Sequence, residues 1–157
     1  MADLTIYNNL TVTAGQNLTV SRSVVSGTST VMSAGEMLQM GGALSAGTGL
    51  ALSAGTAMSG HRVMVTAGTS ASYLAGGTLE LSESTTAAAR SISLDAGNSM
   101  SLTGSTFTAG TSIGMAAGSN LSFDGQLAAA QGVSATAAND LRLSGSVQAG
   151  RGTSLTA

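Results

Sequence analysis

The chain of 157 residues contains 22 Gly but no Pro, Cys or Trp, and five Arg and no Lys stand against seven acids for a net charge of −2. Without a basic patch, nucleic-acid binding lacks its electrostatic driver, and without Lys there is no Schiff-base chemistry. Apolar residues make up 43% and charged residues 8%, the reverse of the balance that keeps a chain disordered.

Met1 to Thr5 lack the basic and apolar regions of a signal peptide, and no run approaches the ~18 apolar residues of a transmembrane helix. Residues 1–13 read as an atypical first coil, in which Ile6, Leu10 and Val12 lead into Ala14-Gly15. From residue 14 to 157 the chain is a regular repeat. Ala14, Ala34 and Ala54 are 20 residues apart, and Ala75, Ala96, Ala117 and Ala138 continue at 21, with a last step of 19 to Ala157. A second series interleaves with the first. From Ala46 to Gly118 the two corners alternate in steps of 8 and 13: Ala46, Ala54, Ala67, Ala75, Ala88, Ala96, Ala109 and Ala117. A fixed period near 20 residues is the mark of a solenoid.

Apolar residues stand four and six places after each corner. One series runs Leu18/Val20, Leu38/Met40, Met58/Gly60, Leu79/Leu81, Met100/Leu102 and Leu121/Phe123, with Leu141/Leu143 one residue early. The other runs Thr30/Met32, Leu50/Leu52, Ala71/Tyr73, Ile92/Leu94, Ile113/Met115, Ser134/Thr136 and Thr153/Leu155. A third apolar site closes each period at Val24-Val25, Leu44, Val63 to Val65, Phe107, Leu127 and Val147, but it is polar in the Glu80–Thr86 region. Alternation at two residues predicts strands with one face inward, and the frequent Gly argues against helix. Gly at the corners is expected to supply positive φ. The fold predicted is all-β: one domain over 1–157, a right-handed three-sided parallel β-helix of about 7–8 coils of 19–21 residues, ~35–40 Å long at ~4.8 Å per coil.

Ala46-Gly47-Thr48-Gly49-Leu50-Ala51-Leu52-Ser53, Ala117 to Gly125 and Asp140 to Gly145 are similar to the repeats of filamentous haemagglutinin. The resemblance runs from about Ile6 to Ala157. It implies the setting of that family, which comprises exoproteins that Gram-negative bacteria export by two-partner secretion, among them adhesins and the shafts of contact-dependent inhibition toxins. No secretion domain or toxin tip is recognisable, so the resemblance implies a shaft segment or a free-standing relative at the cell surface.

No catalytic, cofactor-binding or metal-binding residue is assigned. His61 lacks the Cys or second His of a zinc site and reads, with Arg62, as an exposed turn. Glu80 and Glu83 are candidates for a glycosidase pair, yet Glu80 alternates with Leu79 and Leu81 and is expected outside, where steps of 8 and 13 leave no room for cleft-forming loops. Asp140 and Arg142 are expected to form a surface ion pair, and Asp124-Gly125 a turn. The sequons at Asn9, Asn17 and Asn120 coincide with strand starts, where Asn stacking in an amide ladder is the alternative. The outward row Asn17/Thr19, Met37/Gln39, Ala57/Ser59, Thr78/Glu80, Ser99/Ser101 and Asn120/Ser122 is too irregular for an ice-binding ladder. The expected role is a non-catalytic rod that stacks head to tail through its terminal coils, whose only nearby N-terminal charge is Asp3. The alternative is a glycan- or ice-binding module. Neither nucleic acid nor membrane insertion is expected.

Overall fold

The computed structural model describes residues 4–157 and contains twenty strands, numbered in chain order, and no helix. Asp3 lies outside the described residues. Every pairing is parallel and joins a strand to its equivalent one coil away, with eight strands on the first face. These are β2 (Leu10–Ala14), β5 (Thr30–Ala34), β8 (Leu50–Ala54), β11 (Ser70–Ala75), β14 (Ser91–Ala96), β16 (Ser112–Ala117), β18 (Gly132–Ala137) and β20 (Gly152–Thr156). The second face stacks β3 (Leu18–Val20), β6 (Met37–Met40), β9 (Ala57–His61) and β12 (Thr78–Ser82). The third stacks β1 (Leu4–Ile6), β4 (Val24–Ser26), β7 (Ala43–Ala46), β10 (Met64–Ala67) and β13 (Thr85–Ala88). In the last coils these two faces join into long strands, β15 (Met100–Ala109), β17 (Leu121–Ala129) and β19 (Leu141–Ala149). The molecule is thus a parallel β-solenoid of about eight turns.

The expected inward columns form. Leu79 pairs with Met100 and then Leu121, and Leu81 with Leu102 and then Phe123. All six are buried within one continuous core. At the Ala-Gly corners after Ala14-Gly15 the Ala is inward and the Gly meets the carbonyl of the preceding coil. A Cβ on Gly97 would lie 2.2 Å from the Gly76 oxygen, and one on Gly118 2.2 Å from that of Gly97. Neither residue has positive φ. The glycine is required by close approach of stacked backbones, and the expected left-handed conformation is absent from these corners.

The register differs from expectation in one coil. Ala117 pairs with Ala137, and Ile113 and Met115 pair with Val133 and Ala135. Ser134 and Thr136 therefore point out to solvent, and Ala138 is not the inward corner residue. The runs Ala128-Ala129-Ala130 and Ala137-Ala138 offer several small residues for one slot, so spacing alone does not choose among them. With Ala137 in the slot, Leu141 and Leu143 stand at the regular four and six places. All coils are then 20 or 21 residues, with none of 19.

Where the two lengths arise is clear from the pairing. Between the inward residues of the second and third faces lie three residues in most coils, such as Gly41 to Ala43 between Met40 and Leu44. Three middle coils have four: His61 to Met64, Ser82 to Thr85, and Thr103 to Thr106. The extra residue lets one side chain turn in, and the one before it takes the left-handed region. Arg62 (φ 53°), Glu83 (φ 49°) and Gly104 (φ 59°) take that conformation, and Val63, Ser84 and Ser105 turn inward. Positive φ also occurs at three-residue corners, at Gly42 (φ 83°) and Gly145 (φ 105°). Asp124-Gly125, expected as a turn, lies within the continuous strand β17.

The polar third site is also explained. Thr86 continues the inward column between Val65 and Phe107 and is 1% exposed. Its hydroxyl meets the hydroxyl of buried Tyr73, which reaches across from the first face, at 2.6 Å. Beside it, the Ser84 hydroxyl donates to the Ser82 carbonyl at 2.9 Å and accepts from the Val63 amide at 3.2 Å. Val25, by contrast, is outward and exposed.

Candidate functional site

The second face carries a concentration of chemically varied side chains in the middle of the rod. Alternate residues of β6, β9, β12 and β15 point outward, which stacks Gln39, Ser59, Glu80 and Ser101 in one row. His61, Ser82 and Thr103 form the next row. Together they line a shallow trough of about 420 Å³ that crosses four coils along the axis. His61 Nδ1 lies 2.9 Å from Ser82 Oγ, and the imidazole is otherwise exposed.

Just beyond, at the corner, Arg62 Nε donates to Glu83 Oε2 at 2.6 Å. Both are left-handed residues of adjacent coils, so the stacking itself brings them together. The hydrogen bond from Arg62, and then its charge, hold the Glu83 carboxyl below its ordinary range. Of the two candidate carboxylates, Glu80 faces the trough and Glu83 is bonded to Arg62 at the corner.

The expected Asp140–Arg142 pair does not form, since among the described residues the one ion pair is Arg62–Glu83. Two residues along a strand are ~6.7 Å apart, further than two stacked coils. Nor does an Asn ladder form. The Asn9 side-chain oxygen accepts from the Ser29 hydroxyl at 2.7 Å and from Thr28, and Asn139 donates to Ser119 at 3.0 Å. Stacked corner positions alternate Asn with hydroxyl residues, so a ladder of identical amides has no continuity. Asn17 and Asn120 are exposed, and Asn120 shares its row with Ser99 and Asp140. Among the described residues no three His, Cys, Asp or Glu gather as metal ligands.

The two ends of the stack differ from its middle. At one, Leu10, Val12, Leu18 and Val20 are only partly buried; at the other, so are Leu141, Leu143, Val147 and Ala149. Leu4 and Leu155 are 43% and 52% exposed. Strands β1, β2 and β3 each pair on one side alone, as do β19 and β20. The corner spacing could not show that the second-face trough exists, because it depends on which outward side chains are short. Ser59 and Ser101 in one row and Ser82 in the next were its only signal.

No protein-family model, curated protein or solved structure matches this chain.

Proposed function

We propose that this chain is a non-catalytic structural rod of an extracellular or cell-surface filament or adhesin, extended by coil-on-coil stacking at its ends. The observation that carries the reading is the pair of end coils, which present half-buried aliphatic columns in register with unpaired strand edges. A coil added at either end would satisfy the backbone groups and cover the columns. The added coil comes either from flanking polypeptide or from a second copy by a head-to-tail contact that does not close. The cell-surface setting follows from the resemblance of the repeats to those of filamentous haemagglutinin. The uninterrupted core and the short corners support a rod, since among the described residues no loop leaves the coil to wall a cleft.

Sedimentation and negative-stain electron microscopy against concentration test the self-association. Particles that lengthen in steps of one rod as concentration rises are expected. A single species one rod long at all concentrations would overturn end-to-end assembly. The variants Val12→Asp and Leu155→Asp place charge in the two end columns and are expected to stop growth while leaving the central coils folded.

A further inference from the structure

We propose that the trough on the second face binds a neutral, linear β-linked glycan laid along the solenoid axis, with about one sugar on each coil. The trough runs across four strands, so its polar groups repeat at the coil spacing of about 4.8 Å. That spacing is close to the advance per sugar in an extended β-linked chain. Its floor is short hydroxyl side chains, Ser59, Ser82, Ser101 and Thr103, with His61 and Glu80 standing beside them. Each hydroxyl both donates and accepts, the imidazole can do either and the carboxylate accepts, which suits a polyhydroxylated ligand that presents both kinds of group at every residue.

Charge narrows the class. Within the trough Glu80 is the one carboxylate and no Arg lines it; Arg62, at the neighbouring corner, is held by Glu83. On these four coils a uronate or sulfated chain would meet a negative group and no Arg, since the next cation of the row, Arg142, stands two coils beyond Ser101, whereas a neutral chain meets hydrogen-bond partners in every coil. No Phe, Tyr or Trp lines the trough, so binding rests on hydrogen bonds exchanged with water and is weak per sugar. Affinity grows with the number of coils a chain spans. The inference stands on the second face alone and does not depend on end-to-end stacking.

The test is an amide chemical-shift titration of the intact chain with β-1,4-linked glucose and N-acetylglucosamine tetramers at millimolar concentration, with a tetragalacturonate arm. Shifts confined to the coils of residues 59–61, 80–82 and 101–103, from at least one neutral tetramer, are expected. Ser101→Ile fills the floor and removes a hydroxyl, and is expected to weaken that binding roughly tenfold or more. Ser134→Ile on the first face is the outward control and should leave it unchanged, and melting temperatures confirm that both variants fold. No shifts with either neutral tetramer, stronger binding by the anionic one, shifts centred on another face, or unchanged binding by Ser101→Ile would each overturn the proposal.

Discussion

The Tyr73–Thr86 contact shows how one polar pair is accommodated in an aliphatic core. Burial pushes the Tyr73 phenol far above its usual range, and the hydrogen bond with Thr86 offsets part of that. Thr86→Val strands the phenol without a partner and is expected to cost about 1–3 kcal/mol, read by urea denaturation. Tyr73→Phe with Thr86→Val together should recover most of that loss. Leu102, with no exposed surface, is the apolar counterpart: Leu102→Ala should cost about 2–5 kcal/mol. Glu83 gives a pH signature. Its carboxyl is more acidic folded than unfolded, so the stabilisation is complete above the ordinary carboxylate pKa and fades as pH falls through the lowered folded value. Melting temperature against pH should therefore lose a small acid-side component in Glu83→Gln. The inward Leu, Ile and Met residues were legible because period two selects them. Thr86 was not, since its partner lies 13 residues away and a hydroxyl in a hydrophobic column looks like an interruption.

At the level of the elements, the two Ala-Gly corners are rigid and the third is adjustable. Their spacing could be read because every coil repeats it, but the reason for the Gly could not. A parallel stack brings each corner amide onto a carbonyl of the coil before, as Gly97 does on Ala75 at 2.9 Å, and a Cβ would occupy the space of the next carbonyl. Where Ala stands in that place, as at Ala89 and Ala130, the same bond lengthens to 3.3 Å. Gly97→Ala is thus expected to destabilise by roughly 1–3 kcal/mol, checked by thermal denaturation. The Ala runs near residues 128–138 misled the register for the same reason that Ala serves at corners: it fits inside or outside a tight bend without announcing which.

Over the whole molecule, each coil touches only its neighbours, so stability is close to a sum of coil and interface contributions. The sequence carried the architecture well because a repeat reports each structural decision several times over. It carried the surface poorly, because outward positions obey no packing rule, and the trough and the Arg62–Glu83 contact each occur once. Stability should be uneven along the axis. Hydrogen exchange is expected to be slowest in the coils from Leu50 to Phe123 and faster toward Leu10 and Leu155, where the columns are partly open. Uniform protection along the rod would contradict this.

The adjustable corner has a consequence for how such a chain can change its length. Coils of three and four residues at that corner coexist in one stack, while both other corners keep a constant count. The pairing passes from one length to the other by leaving Gly104 alone unpaired between Thr103 and Ser105. A single-codon deletion at this corner is thus absorbed where it falls, without shifting any strand from its face, whereas one at an Ala-Gly corner would turn an entire strand inside out. Removing Gly104 should leave a folded rod and removing Gly97 should not. Drift in coil length, over generations of such a sequence, would accumulate on this one edge.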